Sequence, residues 1–206
     1  MNWLRGVVQK IGTRHAEQRI GIIGNCITGP IPLALLDYPQ VRAAVVAQPD
    51  LPLRFWWHTE ADHKSLGISP VDVAHAERST VKILGLRFHT DCISHPDKIN
   101  TLREGFPGRF QFDRELDYRM DGKPIKVHST LIGSWSGHGE AGQSSRDARE
   151  RVRDFLLRDS ARFARHDDEM NSPFDSSGNA LQVNQTVSTL IDKNVRSILD
   201  FPHRSR

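Results

Sequence analysis

The 206 residues suffice for one sizeable domain with its own core, and 37% apolar against 26% charged side chains marks it as somewhat polar and globular. No stretch approaches the roughly 20 apolar residues of a membrane span, and the N-terminus lacks the apolar core and cleavage site of a secretory signal, so a cytoplasmic location is the default expectation. The net charge of +3 is spread among acidic residues, as in RDARERVRDF, which reads as an ion-paired solvated face; with no zinc-finger spacing and no basic stripe carrying aromatics, nucleic-acid binding is unsupported.

In chain order, the first element is an amphipathic helix near the N-terminus, with Trp3, Leu4, Val7, Val8 and Ile11 on one side. RIGIIG (19–24) is β-branched and ends in Gly, the mark of a buried strand. NCITG follows as a tight turn, then PIPLALLDYP, whose Leu-rich part has helical character and stops at Pro39. RAAVVAQ (42–48) is a second strand, closed by PDLP, which gives the βαβ grammar of a parallel sheet. Residues 53–80 are less regular until Ser69-Pro70 caps a helix through VDVAHAER. VKILGLRF (81–88) is a third buried strand, HTDCISHPD a loop, and KINTLREGF a helix ending near Gly105 and Pro107. RFQFDRELDYR (109–119) alternates apolar and polar as a half-exposed strand does. IKVH (125–128) is short and apolar and leads to a Gly/Ser-rich loop. Residues 145–160 form a helix with Ala148, Val152, Phe155 and Leu156 on one face. From about residue 163 the chain is a polar tail, with a terminal helix expected over 181–199.

Two cysteines do not make a disulfide framework, although the sequence allows a Cys26–Cys92 bridge. Cys26 has the more telling context. Gly24-Asn25-Cys26-Ile27-Thr28-Gly29 follows a strand with small residues on both sides of a nucleophilic side chain, the pattern of a nucleophile elbow. The turn is so tight that its central residue takes a strained backbone, and bulk on either side would clash. A thiol there projects above the strand ends, near the start of the next helix, whose dipole favours thiolate. The backbone N–H of Ile27 faces the place where an oxyanion would form. A buried structural cysteine in an ordinary turn is the competing reading.

GIIGNCITGPIPLALL resembles the elbow of the dienelactone hydrolases, with Gly24, Cys26 and Gly29 matching and Thr28 standing where that family usually has Gly. The resemblance covers about residues 18–160. It implies an incomplete α/β-hydrolase fold, a mostly parallel sheet flanked by helices, with catalytic residues in the order nucleophile, acid, histidine. Asp91, at the end of VKILGLRFHTD, and His128, in IKVHSTL, stand where the family's acid and histidine are expected. Asp97 competes with Asp91, and His89 and His138 with His128, while Cys92 reads as structural. The implied activity is cleavage of a lactone or carboxylic ester by a Cys-His-Asp triad, with a small-molecule substrate and no metal or organic cofactor. Arg87 is a candidate to hold a substrate carboxylate and equally to balance a surface acid; Trp56, in the FWWH cluster, is a candidate for an acyl pocket, with core or lid packing the favoured reading of the cluster.

The family has several strands before the elbow and draws a second oxyanion donor from among them. This sequence has no counterpart for that loop, which implies a part of a larger fold, or a subunit completed by a second copy or another chain. One missing donor costs roughly 3 kcal/mol. A truncated non-catalytic relative serving as an interaction module, or a thiol used for redox sensing or acyl carriage, are the alternatives.

Overall fold

The computed structural model describes residues 1–16, 18–52, 59–112, 116–117, 119–120, 123–124, 126–131 and 140–171. The chain divides into two compact units, Met1–Val152 and Arg153–Arg206, and the site described below lies wholly in the first. Trp56, His138 and the helix expected over 181–199 lie outside the described residues.

The first unit is an α/β structure. Helix α1 spans Asn2–Arg14, and strand β1 spans Ile20–Asn25. Strand β2 spans Val41–Ala47, helix α2 Glu60–Lys64 and helix α3 Pro70–Arg78. Strand β3 covers Lys82–Leu86, helix α4 Pro96–Gly105 and strand β4 Phe110–Gln111. A small antiparallel pair, β5 (Arg119–Met120) with β6 (Lys123–Pro124), precedes helix α5, Glu140–Asn171. No helix among the described residues is long and apolar enough to cross a membrane.

Strands β1 to β4 form one sheet in sequence order, and all three pairings are parallel. A sheet that steps steadily in one direction with right-handed crossovers places its connections on one face. The main core matches that: Val8 of α1, Leu33 and Leu35 after β1, Ala76 of α3 and Leu102 of α4 pack with Ala44, Val46 and Ile83 of the sheet. On β2, Ala43, Val45 and Ala47 are buried as well, so this inner strand reads as a continuous apolar run. β1 stands at the end of the sheet and alternates instead, with Ile23 36% exposed. Arg5 of α1 ties the first layer together by donating to Asp37, Asp72 and the Ala34 carbonyl at 2.9, 2.6 and 2.7 Å.

Two expectations need correction. The helix expected after the elbow is two 3₁₀ turns, Cys26–Thr28 and Ile31–Leu35. Pro30 and Pro32 lack the N–H groups that α-helical hydrogen bonds require, and the chain has turned into β2 by Val41. The strand expected over 109–119 joins the sheet only at Phe110–Gln111, after which Leu116 makes an isolated bridge to Phe88. Residues 126–129 have no regular structure, so His128 sits on a loop.

Register places the chemistry. Asn25 pairs with Ala47, and Ala47 with Leu86. The residues that follow, Cys26, Gln48 and Arg87, therefore leave three parallel strands at one level. This is the carboxyl rim, where ligands bind in open parallel sheets.

Candidate functional site

The elbow at Cys26 has the strained geometry its sequence requires. Cys26 has φ +59°, in the left-handed region that disfavours every residue with a Cβ except in special turns. Thr28 braces the turn: its hydroxyl donates to the Asn25 carbonyl at 2.9 Å and accepts from the Asn25 N–H at 3.1 Å. The β-branched residue that departs from the dienelactone hydrolase pattern thus holds the elbow closed. The two small neighbours are also required. A Cβ on Gly29 would sit 2.7 Å from the Pro49 Cα and 2.8 Å from the Cys26 carbonyl oxygen. A Cβ on Gly24 would strike the backbone oxygens of Thr28 and Gly29 and lie 2.6 Å from Pro32 Cδ. Gly24→Ala is therefore expected to lower stability by about 3 kcal/mol, the upper end of overpacking, because backbone cannot yield as a side chain can. Urea unfolding of the two proteins checks this; an unchanged midpoint would mean that the elbow has another shape.

Cys26, His128 and Asp91 form a continuous line. Nε2 of His128 lies 2.9 Å from Cys26 Sγ, and Nδ1 lies 2.9 and 3.0 Å from the two Asp91 oxygens. The Asp91 side chain is fully buried and that of His128 is 19% exposed. Asp91 Oδ1 also accepts from the backbone N–H groups of Ile93 and Ser94, at 2.9 and 3.0 Å, which fixes the carboxylate. Burial works to lower the basicity of His128. The hydrogen bonds to Asp91 and Cys26, with their negative charges, outweigh it and push the ring up to about 9. Both partners thus favour the protonated ring over the neutral one.

A layer of buried polar groups holds the three loops. Arg87 is 4% exposed, and its guanidinium donates to the Ser94 and Asp91 carbonyls at 2.8 Å each. It therefore shapes the acid loop from inside, and the expectation that it reaches outward for a substrate carboxylate is corrected. Ser94 donates its hydroxyl to the Pro49 carbonyl at 2.8 Å. Gln48, fully buried with φ +33°, donates to Asn25 Oδ1 at 2.6 Å and accepts from the Thr130 hydroxyl. The elbow, the end of β2 and the histidine loop are joined through that one amide.

Two buried charged residues at this rim escape sequence reading. Asp50 is 2% exposed and brings a carboxylate oxygen within 4.8 Å of donor atoms of both Cys26 and His128. Burial raises the affinity of its carboxyl for a proton, while the positive charges of His128 and Lys98 work against that. Lys98 is 3% exposed and donates to the Leu51 and Ser65 carbonyls at 2.7 and 2.8 Å; burial lowers its ammonium to about 8. In sequence, QPDLP reads as the closure of a strand. The signal that would have picked out Asp50 is its place just past the end of a buried parallel strand, on the same rim as Cys26.

The remaining candidates are placed as follows. Ile27 is the middle residue of the 3₁₀ turn that begins at Cys26, where the first N–H groups lack partners within the turn, and it is 46% exposed. Asp97 lies in the first turn of α4, with an oxygen 3.4 Å from His95 Nδ1. The His89 backbone N–H donates to the Leu116 carbonyl at 2.9 Å, extending the pairing beyond β3. Cys92 is exposed, and no disulfide joins it to Cys26. No protein-family model, no curated protein and no solved structure matches the chain.

Proposed function

We propose that this protein is a thiol-dependent hydrolase that cleaves a carboxylic ester or lactone, as its resemblance to the dienelactone hydrolases and to the α/β-hydrolase fold implies. The observation that carries the reading is the line from Sγ through the imidazole to a buried carboxylate, with the sulfur on a strained elbow at the rim of a parallel sheet.

The groups fit the steps in order. The Cys26 thiolate attacks the carbonyl carbon, and the carbonyl π electrons move to oxygen. The Ile27 N–H donates to that oxyanion as the first member of an oxyanion hole. The tetrahedral centre collapses, the C–O bond to the leaving alcohol breaks, and the alkoxide takes the Nε2 proton of His128. A thioester on Cys26 remains, with a neutral imidazole. His128 then removes a proton from water as it attacks the thioester, and the acid and the thiolate are released. Asp91 acts throughout by holding Nδ1–H, which fixes the ring and offsets the imidazolium charge. The chemistry calls on no metal or organic cofactor.

The test is to trap the acyl intermediate. Incubation with p-nitrophenyl acetate at neutral pH, acid quench and peptide mass mapping are expected to show acetyl on Cys26, removable by hydroxylamine as a thioester is. Slow p-nitrophenol release with acetyl spread over lysines and none on Cys26 would overturn the reading.

A further inference from the structure

We propose that Cys26, Asp50 and His128 form a three-ligand site for one zinc ion. One donor atom from each of the three lies within 4.8 Å of the others. A tetrahedral zinc ion with sulfur at about 2.3 Å and nitrogen or oxygen at about 2.0 Å needs its donors roughly 3.5 Å apart. A spread of at most 4.8 Å among the three donors is close to that spacing. Cys26 Sγ and His128 Nε2, now 2.9 Å apart across a proton, need to part by only roughly half an ångström, within the reach of side-chain rotation.

Asp50 supplies the independent observation. Its carboxylate is almost completely buried, and Oδ1 finds no hydrogen-bond partner among the described residues. An unsatisfied carboxylate oxygen beneath a sheet rim is costly unless something positive meets it. His128 does not meet it with a hydrogen bond, since its Nδ1 is held by Asp91 and its Nε2 by the thiol. A cation among Sγ, Nε2 and the Asp50 carboxylate brings the positive charge that this buried group calls for.

Charge and ligand type select the ion. A thiolate and a carboxylate bring two negative charges, which match a divalent cation, and the neutral imidazole completes a sulfur–nitrogen–oxygen set. That mixture suits zinc, which is borderline in softness, better than magnesium or calcium, which take all-oxygen shells. Asp91 already occupies the outer position that zinc-bound histidines use, accepting Nδ1–H from a buried carboxylate so that Nε2 faces the metal. On binding, the proton between Sγ and Nε2 leaves to solvent and both lone pairs go to the ion. The fourth position stays open to water. The hydrolase reading uses the same sulfur and the same Nε2, so if that reading holds, zinc and thiol chemistry exclude each other at this site and zinc acts as a reversible inhibitor. Ligation itself does not depend on that reading.

Cobalt(II) is the probe, because a thiolate ligand gives it a charge-transfer band in the near ultraviolet and tetrahedral geometry gives intense visible bands. Chelator-treated full-length protein is expected to bind one equivalent with both signatures, and zinc to displace it. Cys26→Ser is expected to lose the charge-transfer band. Asp50→Asn is expected to weaken zinc binding about 10- to 100-fold in competition with a chromophoric chelator, with its circular dichroism unchanged. Absence of a thiolate band in the unaltered protein at any cobalt ratio, or zinc affinity indifferent to Asp50→Asn, would overturn the inference. Acyl trapping that fails while the cobalt band appears removes the hydrolase reading and leaves the metal site; the reverse outcome removes the metal site alone.

Discussion

Replacing His128 by Ala is expected to lower kcat/KM for p-nitrophenyl acetate by about 10⁴-fold or more, because the proposed hydrolase mechanism uses one imidazole in both half-reactions. In that mechanism it first delivers a proton to the departing alkoxide and then takes one from water. Cys26 would also lose the partner 2.9 Å from its sulfur. Steady-state turnover of the two proteins checks this, and a loss below tenfold would remove His128 from the chemistry. The same pair of proteins tests the electrostatics. The ring is held at about 9, above its unfolded value of about 6.5. A group raised in this way stabilises the fold fully below the unfolded value, and the stabilisation fades as pH climbs through the folded one. The Tm advantage of the unaltered protein over His128→Ala is thus expected to be greatest near pH 6 and to shrink between about pH 6.5 and 9. Lys98, lowered to about 8 by burial, works the opposite way, since its cost is relieved as pH rises. It is present in both proteins and cancels in the difference. An advantage independent of pH would mean that the imidazole is not held charged by its neighbours.

Asp91→Asn is expected to reduce kcat by about 10³- to 10⁴-fold with KM little changed. The amide oxygen can still accept from the Ile93 and Ser94 N–H groups that now bind Oδ1, so the loop keeps its shape. That choice turns the amide NH₂ towards His128 Nδ1, which must then be an acceptor. The ring's proton moves to Nε2, and the neutral imidazole can no longer take a proton at the atom that faces Cys26. The negative charge that supports the imidazolium goes as well. Single-turnover kinetics separate the two steps, and both are expected to slow. A variant with unaltered kcat would show that the carboxylate is structural.

Much of this was legible because strands and elbows follow local rules. The runs at 19–24, 42–48 and 81–88 carry β-branched residues between turn formers, and each is a strand within a residue or two at most boundaries. Gly24 and Gly29 announced the elbow because only small residues fit there, while Asp91 and His128 are singled out by the resemblance to the dienelactone hydrolases, and the three side chains lie in one line. The misreadings come from longer-range physics. PIPLALL looks helical by composition, but the N–H groups of Leu33 and Leu36 bond to the carbonyls three residues back, and the chain enters β2 at Val41 before a longer helix can form. Arg87 reads as a hand for substrate because a dienelactone-like site could use an arginine to hold a carboxylate. Its burial is decided by carbonyls seven and four positions ahead that need a donor. Asp50 and Gln48 stayed hidden because their partners lie on other loops, and no local pattern encodes a contact between residues 48 and 130.

The amide of Gln48 makes a crossbar between two banks of the cleft. It grips Asn25, next to the sulfur, with one end and Thr130, two positions past the imidazole, with the other. Thiol and ring are consequently braced against the same strut, so thermal motion carries them together and their spacing varies less than either position does. Damage is shared in the same way: removing the Thr130 hydroxyl leaves a bare acceptor deep in the interior and slackens the opposite bank, which that hydroxyl never touches.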